Sequence, residues 1–373
     1  MIIDKVTGND RMLGVNALKG IAAYCIALMF HPLTVGFTTN DRLPFDQIYF
    51  IGFIERNGWM SVELFLMISG FLFWIRYSEK IAQGNMSFSE FLKKRIVRIF
   101  PTMWLAMLIT VVLQLIYIKI TGQWFIIHNN SLMELIFSFG GMENFWTPQS
   151  WNAPAWTISL LITCWTIFFY VVQKSGGVTS RQICSCIVLI MIGITIVFSP
   201  PEKYYPLINT TFARGYISFF AGGIIGIIYM KYGLPMLKHV GTVMVLVNII
   251  FWGLFWISDG AINWEPCGVT VPLIVWTTVL IITLVNKAII KLLSTAPFQY
   301  LGNISFSLYL MNFPLEIIIK IIEIKGHIQI DYSSGWFLLF NSIYQILVGG
   351  AVYYLYELRF STYVTKKIER YNF

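Results

Sequence analysis

Long apolar runs separated by short polar breaks recur along the whole chain. They fall near residues 13–33, 58–75, 100–118, 154–172, 182–199, 213–230, 240–257, 268–286, 298–319 and 336–356. Each approaches the roughly 20 residues a helix needs to cross the hydrocarbon core of a bilayer. A shorter run, Ser131–Phe139, is too brief to cross and reads as an interfacial segment. The first run holds Lys19 and His31 and shows no clear cleavage site, so it reads as a retained helix. Breaks such as Ser199-Pro200-Pro201 separate helices, and neither repeats nor composition shifts divide the chain. The pattern predicts a single all-α domain over residues 1–373, a polytopic membrane protein with about ten transmembrane helices.

Composition agrees. Apolar residues make up 57% of the 373 and charged residues 12%, with a mean hydropathy of +0.70. A soluble domain carries about 25% charge because its surface must face water. Cys25, Cys164, Cys184, Cys186 and Cys267 are scattered and read as packing residues, with no disulfide framework and no metal site.

The placement of Lys and Arg orients the chain. With the N-terminus inside and ten crossings, one side takes Lys5, Arg11, Lys19, the cluster from Arg76 to Arg98, and Lys174, Arg181, Lys231, Lys238, Lys287 and Lys291. It also takes Arg359, Lys366, Lys367 and Arg370 at the tail, so that most of the 26 basic residues lie there. Both termini are therefore expected in the cytoplasm, with the chain a multi-pass protein of the cell inner or plasma membrane. The net charge of +8 belongs mostly to that face. It points to anionic lipid headgroups or a phosphate-bearing ligand, and away from nucleic acid.

Few ionisable groups fall at membrane depth, where each is costly and a candidate for function. His31 closes the first run and Glu63 lies about a turn and a half into the second. Opposite directions of travel bring both near the outer face. A carboxylate that holds an imidazole tautomer makes a general base. The plainer alternative has His31 at a wet interface and Glu63 packed against an arginine. Arg95 and Arg98, three apart, share a helical face and suit a phosphate, although a basic run before a membrane helix also follows from orientation alone. Trp156 and Ser159 open the fourth expected helix, Arg214 the sixth, and Ser307 and Tyr309 lie within the ninth. These five are candidates for lining a substrate path, with interfacial anchoring and helix packing as the alternatives.

Taken in order, six segments resemble the membrane-bound acyltransferase-3 family. They are Leu18-Lys19-Gly20-Ile21-Ala22-Ala23 through His31; Val62-Glu63-Leu64-Phe65; Ile68-Ser69-Gly70-Phe71-Leu72; and Arg95-Ile96-Val97-Arg98-Ile99-Phe100-Pro101-Thr102-Met103-Trp104. The last two are Ala155-Trp156-Thr157-Ile158-Ser159 and Leu301-Gly302-Asn303-Ile304-Ser305-Phe306-Ser307-Leu308-Tyr309-Leu310. The resemblance implies O-acetylation of surface polysaccharide from an acyl-CoA co-substrate, with no other cofactor. It implies His31 as the essential histidine, Glu63 as the acidic residue of the second helix, and Arg95 and Arg98 as the paired arginines. Two departures stand out. Eleven residues rather than ten separate Lys19 from His31, which turns Lys19 by about 100° on a regular helix unless a π-bulge absorbs the extra residue. Many members also carry a Glu shortly after Trp-x-x-Ser, where this chain has Leu160, Leu161 and Ile162.

The expected partners are acetyl-CoA, a carbohydrate acceptor and membrane lipid, with Lys19 lining the CoA route or its mouth. The main competing function is a transporter or flippase of a lipid-linked sugar; a glycan polymerase is another. No internal symmetry of the kind transporters often show is present in the sequence.

Overall fold

The computed structural model describes residues 8–27, 57–126, 131–146, 150–201, 203–257, 270–332 and 334–363. Among them the chain is helical, with no strand beyond one isolated bridge, Tyr205 to Ile208. The helices are α1 (Gly8–Tyr24), α2 (Ser61–Ala82), α3 (Phe88–Thr121), α4 (Leu132–Phe139), α5 (Glu143–Trp146), α6 (Trp156–Ser175) and α7 (Thr179–Phe198). They continue with α8 (Thr210–Ile257), α9 (Thr270–Val285), α10 (Lys287–Leu293), α11 (Ala296–Gly326) and α12 (Gly335–Val352).

Seven described helices are long and apolar enough to cross a membrane, or eight if the bent pair α9–α10 counts as one span. Physical causes separate this count from the ten runs of the sequence. The sixth and seventh runs join in α8, whose 48 residues are broken at Gly233 (φ 69°, ψ −167°). The eighth bends by 90° after Val285, where Asn286 starts a new helix by accepting from the N–H groups of Ala288 and Ile289. The first runs out of the described residues. Ser131–Phe139 forms a helix of 8 residues, started by a capping box in which Ser131 and Glu134 satisfy each other's backbone N–H.

The contacts group into two compact units. One comprises Met1–Ala22, Met60–Ser87 and Leu160–Gly302; the other comprises Ala23–Trp59, Phe88–Ser159 and Asn303–Phe373. In the first unit, α2 and α8 run parallel with their backbones almost touching. A Cβ on Gly70 would lie 1.8 Å from the Phe219 carbonyl oxygen, and one on Gly222 would lie 1.9 Å from that of Met67. Small residues bring membrane helices close where water cannot drive association. Around this contact Leu64, Met67, Ile68, Phe71 and Ile225 form a core with Leu280, Ile281 and Leu284 of α9. In the second unit, α12 runs antiparallel to α11: Gly349 meets Leu308, and Phe337 packs with Ile319.

Candidate functional site

The close contact of α2 with α8 seats two of the candidate residues together. Glu63, fully buried, accepts a hydrogen bond from Arg214 Nε at 2.5 Å. Gly215, next to Arg214, lets α8 pack on α6; a Cβ there would meet Leu160 at 2.2 Å. Arg214 therefore faces α2 and supplies the counter-charge that a carboxylate at this depth requires. Glu63 Oε2 is buried and has no hydrogen-bond partner among the described residues. Sequence reading left Arg214 as a path-lining residue; in the structure it is the partner of Glu63.

Lys19, half-buried on α1, stands beside another glycine contact. Gly20 packs on Gly302, where an added Cβ would lie 2.5 Å from the Gly302 nitrogen. Gly302 packs in turn on Asn16, with 2.4 Å left to its carbonyl oxygen. The requirement here is steric, and it explains the glycine inside the Leu301-Gly302-Asn303 segment. After Tyr24 the helix becomes π-helical at residues 25–27. A π-turn takes up one extra residue without ending the helix, and it lies between Lys19 and position 31, where the sequence carries its insertion. His31 lies outside the described residues.

The remaining candidates belong to the second unit. Arg95 is half-buried and Arg98 exposed on the first turns of α3. The Arg98 charge lies near the Tyr353 phenol, in the π-helical turn Tyr353–Glu357 that follows α12. From that turn the buried Glu357 accepts a hydrogen bond from Ser307. Tyr309 is buried two residues further on. Ser159 donates to the Trp156 carbonyl at 2.8 Å and accepts from Asn144 Nδ2, which also donates to that carbonyl at 2.9 Å. Trp156 and Ser159 thus form a bonded first turn of α6, held by the side chain of Asn144.

The structure also shows buried polar groups that sequence reading passed over. On α11, Asn312 and Glu316 are one turn apart and fully buried, with neither side chain bonded at either polar atom among the described residues. The antiparallel register sets them level with Gln345 and Asn341 of α12, which are buried too and bonded to each other at 3.1 Å. A carboxyl inside the apolar run 298–319 was the available signal. Glu143 in α5 is likewise buried. Among the described residues its oxygens have no hydrogen-bond partner; the nearby Ser150 hydroxyl donates its proton to the Asn152 carbonyl at 2.8 Å. Burial pushes the Glu143 carboxyl well above the usual carboxylate range. Trp151, in the same loop, is buried and donates to the Ser131 carbonyl at 3.0 Å, so its indole is committed to packing. Among the described residues no three His, Cys, Asp or Glu side chains converge as a metal site.

A family model described as an acyltransferase domain matches residues 12–355, nearly the whole chain. The chain belongs to the acyltransferase-3 family. No curated protein and no solved structure matches it. The match takes in most of α1 and all of α2 through α12, and with them the Glu63–Arg214 pair, the paired arginines of α3 and the glycine contacts of α1, α2 and α11. It is a multi-pass membrane protein of an acyl-transferring family.

Proposed function

We propose that this acyltransferase-3 protein moves an acetyl group from cytoplasmic acetyl-CoA to a hydroxyl of a cell-surface polysaccharide or its lipid-linked precursor. The observation that carries this reading is the Glu63 carboxylate, held on one oxygen by Arg214 and unbonded on the other among the described residues, inside a chain that the acyltransferase domain covers over residues 12–355. An unbonded buried acceptor suits the N–H of an imidazole, and His31 is the residue the family resemblance assigns as base.

In this mechanism Glu63 holds one nitrogen of His31, and the other takes the proton of the acceptor hydroxyl as its oxygen attacks the thioester carbonyl. The tetrahedral intermediate collapses, its C–S bond breaks, and the departing thiolate takes the proton back from the imidazolium. The products are an O-acetyl ester and CoA thiol. Arg95 and Arg98 hold the CoA phosphates through charge-assisted hydrogen bonds, and Lys19 borders the route of the pantetheine arm. Trp156, Ser159, Ser307 and Tyr309 line the path as supporting residues; the Asn144 and Glu357 bonds support a positioning role for Ser159 and Ser307.

The test is transfer of label from acetyl-CoA to a glycan extract by purified protein. Wild type labels a sugar hydroxyl, properly inserted His31→Ala does not, and the Arg95→Ala/Arg98→Ala variant requires more acetyl-CoA. Retained activity in His31→Ala removes the base assignment. Absence of both transfer and acetyl-CoA binding in wild type overturns the reaction.

A further inference from the structure

The first unit holds a cavity of about 210 Å³ at its lysine- and arginine-bearing end, lined by Trp74, Ser78, Glu79, Thr179, Gln182 and Lys231. Its floor is built from buried groups. Trp74 is 1% exposed and donates its indole N–H to Gln182 Oε1 at 3.1 Å. That bond fixes the Gln182 amide, itself 7% exposed, and leaves its Nε2 without a partner among the described residues at the cavity wall. The first turn of α7 reaches the cavity at Thr179, and its N-cap, Val178, provides no side-chain acceptor. The leading N–H groups of that helix therefore lack an N-cap acceptor, at its positive end. Lys231 adds a full positive charge. On the same lining stands Glu79, and among the described residues it makes no ion pair with Lys231.

This combination selects for one kind of ligand. A bare phosphate suits Lys231, Gln182 Nε2 and the helix start, but Glu79 opposes it. A bare ammonium suits Glu79 and is opposed by Lys231. A phosphate joined to an ammonium satisfies both. We propose that the cavity binds the phosphoethanolamine headgroup of a membrane phospholipid. The ammonium has three N–H donors for Glu79, whereas a choline headgroup has none. The lipid source follows from the apolar surface around the cavity. Met230 lines it and is 38% exposed, and α7, which borders it, exposes Ile187, Val188, Met191 and Ile192 along its length. Acyl chains attached to a headgroup in the cavity can lie against that surface. The site does not depend on the acetyl-transfer reading.

The test is lipid retention by the purified full-length protein. It is placed in vesicles with equal parts of phosphatidylethanolamine, phosphatidylcholine and phosphatidylglycerol, extracted, and its bound lipid counted by native mass spectrometry. Wild type retains the ethanolamine lipid over the other two. Lys231→Gln weakens that retention about tenfold, the scale of one charge-assisted contact, and Glu79→Gln shifts preference to phosphatidylglycerol. Both residues are exposed, and unchanged thermal unfolding verifies the fold. Equal retention of the three lipids, or unaltered selectivity in both variants, overturns the site. Displacement of the lipid by equimolar soluble O-phosphoethanolamine overturns the lipid source and assigns the cavity to a free phosphate ester.

Discussion

The two units bury carboxyl groups in opposite ways. In the first, Glu63 is matched by Arg214, and glycines on α2 and α8 bring the two helices close enough for the ion pair to form. In the second, Glu316 and Glu143 are buried with no such partner among the described residues; Gln345 bonds Asn341, and the Ser150 hydroxyl bonds the Asn152 carbonyl. A buried carboxyl costs free energy in either arrangement. Only the first offsets part of that cost, and only there does removing the partner leave a charge stranded. The difference separates a carboxyl the fold depends on from carboxyls the fold tolerates.

The comparison breaks most readily at Arg214. Arg214→Ala strands the Glu63 carboxylate and is expected to cost about 3–5 kcal/mol; Glu63→Gln in the same chain recovers part of it. Unfolding measured by steric trapping in bicelles, over the four combinations, gives the coupling. Additive losses would show that the pair contributes nothing.

Next in size is the contact that makes the pair possible. Gly70→Ala places a methyl 1.8 Å from a backbone carbonyl, where no rotamer change relieves it. A loss of about 3 kcal/mol is expected, with Arg214 drawn away from Glu63. Gly253→Ala is the control, since nothing lies within 4 Å of a Cβ there.

A pH series tests Glu143. Its folded-state pKa is raised above the ordinary value of 4.5, so below that value the carboxyl is neutral in both folded and unfolded chain and costs nothing. As the pH climbs from 4.5 toward the folded-state value, only the unfolded chain ionises. Stability then falls by up to about 1.4 kcal/mol per pH unit. Glu143→Gln is expected to flatten that slope in a thermal-unfolding series; an unchanged slope would show that Glu143 does not titrate in this way.

The smallest effect belongs to Glu316. Glu316→Leu removes an unsatisfied carboxyl without stranding a partner, and is expected to be neutral or stabilising by about 1 kcal/mol. A large destabilisation would place a hidden partner at that site and erase the contrast with Glu63.

Much of the architecture was legible in the sequence, because a membrane imposes one rule on every spanning segment: its apolar residues must run long enough to cross. The glycines were legible as places of close approach, although not which helix each would meet. Gly70 meeting Phe219 depends on a contact between segments some 150 positions apart in the chain. The Glu63 partner was open for the same reason. Sequence could say that a buried carboxylate wants an arginine, and depth alone did not choose Arg214. Glu316 was within reach, as an ionisable residue in an apolar run, yet nothing local states whether it faces lipid or protein. Nothing local marks Glu143 for burial, which follows from packing around Ser150 and Asn152. His31, the residue proposed as base, lies beyond the described residues.

The break in α8 bears on how the protein is made. A straight helix of 48 residues would reach about 72 Å, more than twice the hydrocarbon thickness. Gly233 interrupts it with a backbone conformation that other L-residues adopt at a cost, and Pro235 follows at once. The two apolar halves are therefore synthesised a few seconds apart and joined by almost no slack. With so short a joint, a fault in placing either half carries its neighbour with it.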